Sequence, residues 1–210
     1  MDVHYAIKRR HPRTHMPHWL TDQRRRLGWF ILFAIVLTYN VAKERQYLFV
    51  FYTQWTFLLE TIYFGCRLVQ WDAPADHIWP ILFAPSVVVC VGFWVVVAPI
   101  HLSQRPPNNM FMLVVSHGCN MMATISERRP IWSHDVWKPI LYTAIYNLFL
   151  AVYVGAGGRS VSGKLPYWFA HYDTPIGWVF AALAVTAVAL AHFMISRSKT
   201  HELAPKQYIV

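Results

Sequence analysis

Apolar residues fall in six long runs separated by short polar links, at 27–42, 47–69, 78–100, 109–125, 137–155 and 176–195. Their length and unbroken apolar character predict α-helices that cross a membrane, because hydrocarbon leaves a backbone no partners except its own. The fold class expected is therefore all-α: a polytopic membrane protein with six transmembrane helices in one bundle. A basic polar segment at 1–26 precedes this 27–195 domain, and a polar tail at 196–210 follows it. The first and fourth runs are short for a hydrocarbon core about 30 Å thick, so flanking Arg and Trp residues or local thinning would have to make up the span. Pro80, Pro85 and Pro99 predict kinks or local unwinding in the third run.

With six spans the termini share a side. Lys43, Arg45, Arg105, Arg159 and Lys164 fall opposite them, and the rest of the 19 lysines and arginines fall on the terminal side. That asymmetry puts both termini inside, on the cytosolic or matrix face. The N-terminal stretch is no secretory signal, since its apolar run starts late and no small-residue cleavage site follows.

Composition agrees. The 210 residues are 56% hydrophobic and 16% aromatic, and only 14% are charged, far below an ordinary soluble domain. A net charge of +9 would suggest nucleic acid in a soluble protein. In this one it is read as topology-setting charge that meets anionic headgroups, cardiolipin among them, with no nucleic-acid partner. Cys66, Cys90 and Cys119 are odd in number and form no CxxC, so neither a disulfide framework nor a metal site is indicated. No cofactor is expected.

The second run carries the chemistry that a simple anchor would lack. Thr53, Thr56 and Glu60 stand at i, i+3 and i+7, on one helical face. A carboxylic acid inside a span marks a functional site by default. Counting 1.5 Å per residue from the outer boundary brings Thr53 level with His117, and Glu60 level with Thr124. Asn120 follows one turn below His117, and Tyr142, Tyr146 and Asn147 of the fifth run could close the cluster. One reading makes Thr53 a nucleophile and His117 its base. The other makes these groups hydrogen-bonded glue between helices, with Glu60 a protonated acid bonded to a neighbour.

Other patterns carry less. His101 and His192 do not share a level with His117, so no bis-histidine haem is supported. The stretch GRSVSGKL at 158–165 lacks a Ser or Thr after Lys164 and is followed by Pro166, which excludes a phosphate loop. Gly177, Ala181, Ala184 and Ala191 form a small-residue packing stripe.

The segments FYTQWTFLLETIYFG at 51–65 and HGCN at 117–120 together resemble the androgen-induced family of multi-pass membrane proteins and its Rolling stone-like relatives. A long loop carrying LPYWFAHYDTP and a GG after the fifth run resemble the Rolling stone-like branch. The androgen-induced branch implies threonine hydrolases of lipid esters, notably fatty acid esters of hydroxy fatty acids, with the catalytic Thr falling on Thr53. Its fourth-helix pattern is H-G-x-H, and the second, catalytic His falls on Asn120. An amide takes no proton at useful pH, so only His117 could substitute. The resemblance therefore leaves two functions open. One is a non-catalytic accessory subunit of a multi-subunit membrane assembly, with a mitochondrial inner-membrane respiratory complex as one home. The other is an intramembrane hydrolase using Thr53 and His117.

Overall fold

The computed structural model describes residues 18–99, 113–127, 129–160 and 163–203. Among them all regular structure is helical. The principal helices are α1 (His18–Glu44), α2 (Tyr52–Leu68), α3 (Asp72–Gly92), α4 (Asn120–Ser126), α5 (Trp137–Gly155) and α6 (Pro175–Leu203). Three helical stretches, Leu20–Lys43, Asp72–Val97 and Pro175–Ser198, are long and apolar enough to cross a membrane, and the chain is an integral membrane protein on that ground.

Several boundaries differ from those expected, each for a local reason. α1 begins within the basic segment, at His18 rather than 27, because Gln23 and Arg24 to Arg26 are good helix formers and can reach back to water. Its 27 residues make about 40 Å of helix, which removes the shortfall expected of the first run. The second run divides: a 3₁₀ turn at Arg45–Val50 leads into α2, and the left-handed Arg45 (φ 49°) makes the corner. α6 runs on past 195 to Leu203. The fourth run is described from 113 onward, and its residues 109–112 lie outside the described residues, as do His101 and most of both polar tails.

α2 ends in a Schellman-type cap. The Trp71 N–H donates to the Cys66 carbonyl at 2.8 Å and Gln70 takes the left-handed conformation (φ 59°). α3 keeps Pro80 and Pro85 inside one helix, and the local unwinding comes after them, as a π-helical turn at Phe93–Val97. Pro99 has no N–H to give the Val95 carbonyl, so a widened turn at that point forfeits little. A second π-helical turn, Val115–Cys119, leads into α4.

α3 is the central rod. It packs against α2, α4, α5 and α6, while α1 packs along α2. The core is aromatic: Phe33 of α1 meets Phe57 edge-on at 5.1 Å, and Tyr63 stacks on Trp79 of α3 at 5.4 Å. Aromatic pairs of this kind each add about 1 kcal/mol beyond the area they bury. Buried Asn40 and Gln54 hydrogen-bond between α1 and α2 at 3.2 Å, satisfying two amides that lipid could not. The loop after α5 folds back over the ends of α2 and α5. Tyr167 Oη accepts the Tyr52 N–H at 3.0 Å, and Ala170 is buried beside Val50, Tyr146 and Leu150. An N-terminal amide of α2, which no helical carbonyl can reach, is thus capped from outside the helix.

Candidate functional site

α2 lies against both α3 and α4, so the two segments expected to share polar groups are neighbours. The partners are not those the level-counting suggests. Glu60 is fully buried, and its Oε1 lies 2.8 Å from Ser86 Oγ of α3. Thr124 turns its hydroxyl onto its own helix, donating to the carbonyls of Asn120 and Met121 at 3.1 and 3.0 Å. Thr56 does the same to the Tyr52 carbonyl at 3.1 Å. Hydroxyls that return to their own backbone satisfy themselves without crossing to a neighbour.

Tyr146 and Asn147 belong to the Val50 end of α2 rather than to the Glu60 level. Tyr146 Oη donates to the Val50 carbonyl at 2.7 Å, and Asn147 accepts from Tyr172 Oη at 3.2 Å. Tyr142 is the member of α5 that comes within electrostatic reach of Glu60, beside Thr56. From α4, Cys119 comes within the same reach.

His117 is half-buried in the π-helical turn. Its Nδ1 is 3.0 Å from the Leu113 carbonyl, which can only accept, so Nδ1 carries the proton and Nε2 the lone pair. Its ring stacks on Phe93 at 3.6 Å with a 17° tilt. Thr53 is also half-buried, and among the described residues no hydrogen bond joins it to His117. A threonine hydroxyl without a base in reach is a weak nucleophile. Asn120, at the position where the resemblance expects the base, is fully buried, and neither its Oδ1 nor its Nδ2 has a protein partner.

The π-helical turn explains why the face expected to hold His117, Asn120 and Thr124 comes apart. An i→i+5 turn holds more residues than an α turn, so His117 and Asn120 no longer superpose. Asn120 and Thr124 face the core fully buried, while His117 turns toward Phe93.

Sequence reasoning missed a second constellation, at the opposite end of α2. Glu127, just past α4, is fully buried and clamped by α1. Arg26 meets it with both prongs, Nε to Oε1 at 2.8 Å and Nη2 to Oε2 at 3.0 Å. Arg25 approaches Oε1 at 3.4 Å, and Tyr63 Oη donates to Oε2 at 3.2 Å. Burial pushes the Glu127 carboxyl up, but the hydrogen bonds and charge of Arg26, with Arg25 and Tyr63, outweigh it and hold the group below its usual range. Nearby, Arg129 pairs with Asp76 and Arg67 with Asp72. Trp29 Nε1 donates to Ser126 Oγ at 3.1 Å, and Trp79 Nε1 to the Pro130 carbonyl at 3.0 Å. The signal was present as opposite charge: a lone acid followed by two arginines after the fourth run, facing the Arg24–Arg26 triplet. It is an ion-pair lock that ties α1, α2 and the end of α4 together at one end of the helix packing.

Among the described residues no group of three or more His, Cys, Asp or Glu is placed to hold a metal ion. No family model, no curated protein and no solved structure matches the chain.

Proposed function

We propose that this chain is a six-span membrane protein with both termini inside, which keeps a hydrolase-like helical scaffold without its chemistry. In this reading it serves as an accessory, interaction-bearing subunit of a multi-subunit membrane assembly. The observation that carries the proposal is the state of the would-be catalytic pair. His117 stacks on Phe93 and donates to Leu113, no hydrogen bond links it to Thr53, and a buried amide, Asn120, stands where the resemblance expects a base. The net charge of +9 suits an anionic bilayer, and a cardiolipin-rich mitochondrial inner membrane is the home proposed.

The test is a fluorophosphonate probe on the purified full chain, beside Thr53→Ala and His117→Ala. No labelling of the wild type, together with co-purifying protein partners on a native gel, is the expected result. Labelling of the wild type that both variants lose would replace this reading with an intramembrane ester hydrolase built on Thr53 and His117. Single cysteines placed at 24 and 199 should both react with an impermeant thiol reagent only from the inner side. Opposite reactivities would refute the six-span arrangement.

A further inference from the structure

Glu60 raises a question of proton bookkeeping. Ser86 Oγ lies 2.8 Å from Glu60 Oε1 and 2.7 Å from the Leu82 carbonyl, and all of Ser86 and Glu60 is buried. A hydroxyl has one proton and a carbonyl can only accept. Both short contacts are full hydrogen bonds only if Ser86 donates to Leu82 and Glu60 donates to Ser86. No ion pair reaches Glu60 among the described residues, and the ionisable side chains within its electrostatic reach are Cys119 of α4 and Tyr142 of α5. An ionised carboxylate here would bear the desolvation penalty of a buried ion with no counter-charge to offset it.

The opposite side of the same carboxyl is unsatisfied. Glu60 Oε2 and both amide atoms of Asn120 are buried polar atoms with no protein hydrogen-bond partner, and buried Tyr142 Oη has only the Thr56 hydroxyl beside it. They come from α2, α5 and α4, each of which packs against α3, and Tyr142 and Cys119, the chain neighbour of Asn120, lie within electrostatic reach of Glu60. Each such atom, if left bare, would forfeit the hydrogen bonds that water gives it in the unfolded chain. They also mix donors with acceptors. A cation would serve the oxygens and leave Asn120 Nδ2 unanswered, whereas water both gives and takes and characteristically bridges groups of this kind.

We propose that Glu60 is a proton-binding site inside the bundle, a neutral carboxylic acid whose Oε2 holds buried water shared with Asn120 and Tyr142. Loading transfers a proton from water to Glu60, and release returns it. No other bond forms or breaks.

Infrared spectra of the full chain in lipid vesicles at neutral pH test this. The difference between wild type and Glu60→Gln should contain a carboxylic-acid carbonyl band that shifts in D₂O. Loss of the shared water in Asn120→Leu or Tyr142→Phe should move that band to higher frequency. Where Glu60→Gln does not fold, the band is identified by its shift in Ser86→Ala, which removes the acceptor of the Glu60 proton. No protonated-carboxyl band at neutral pH would overturn the proposal. So would a band that sodium abolishes when it replaces choline at equal ionic strength, because the ligand would then be a cation. A band unmoved in both Asn120→Leu and Tyr142→Phe would overturn the shared water.

Discussion

Replacing Glu127 by alanine should unlock one end of the bundle. The substitution removes a fully buried carboxylate and leaves Arg26, whose side chain is 12% exposed, with no acceptor for either prong. Breaking a buried pair from one side costs about 3–5 kcal/mol, most of it the stranded charge. Arg25 is more exposed at 27% and keeps Asp22 at 3.2 Å, so its share of the loss is small. Tyr63 Oη loses its acceptor as well, which adds about 1 kcal/mol. The expected total for Glu127→Ala is about 5 kcal/mol. Glu127→Gln keeps the shape and one acceptor oxygen and should cost about 2 kcal/mol. The assay is reversible unfolding of the full chain in mixed micelles, titrated with denaturing detergent and followed by tryptophan emission. A double variant, Arg26→Met with Glu127→Met, removes both charges and should recover much of the loss, since an apolar pair of similar volume costs little. Molar salt, which shortens screening to about 3 Å, should leave the wild-type advantage largely intact because the pair is buried. A loss below about 0.5 kcal/mol for Glu127→Ala would refute the reasoning, placing the pair among surface ion pairs that contribute little.

Acid should reveal the same lock. Because the Glu127 carboxyl is held below its unfolded range, its contribution is fully present above the ordinary carboxylate value of about 4.3 and is lost as pH falls through the folded value. Unfolding titrations should therefore be steeper in pH below that point for wild type than for Glu127→Gln, and equal slopes would contradict it. Gln70→Gly should stabilise by about 1 kcal/mol, because the exposed Gln70 holds a left-handed conformation that glycine adopts without penalty. No gain in midpoint would count against the cap. Gly177→Ala should destabilise by about 1–3 kcal/mol and loosen the 163–174 loop, since a Cβ there would sit 2.6 Å from the His171 carbonyl oxygen. Limited proteolysis in that loop reads the effect. Tyr146→Phe should cost about 1 kcal/mol by stripping the Val50 carbonyl of its 2.7 Å donor, measured by the same micelle titration.

Helix content and the apolar character of the chain were legible in the sequence because hydrocarbon length and period are one-dimensional properties. The fifth run matched α5, Trp137–Gly155, for that reason. Polar helix ends were less legible. Arg24–Arg26 read as a tail, yet Arg25 and Arg26 lie on α1 because Glu127, a hundred residues on, supplies their counter-charge. The polar faces were harder still. Thr53, Thr56 and Glu60 do follow an α-helical count, but Glu60 chose Ser86, a residue in a run of valines that offered no reason to be singled out. His117 and Asn120 parted because a π-helical turn has no sequence signature that spacing alone can detect. Asn120 itself was legible as a departure from the pattern it resembles, and its complete burial was not.

The two π-helical turns meet each other: Phe93 sits in one and His117, stacked on it, in the other. Each behaves as a single surplus residue let into an otherwise regular coil, so excising one should spin everything downstream by about 100° and throw that helix out of step with its mate. Excising one from each should let both coils turn together. The pair of insertions thus works as a matched key, and a sequence that carried only one of them would have to find another way to seat Asn120 in the core.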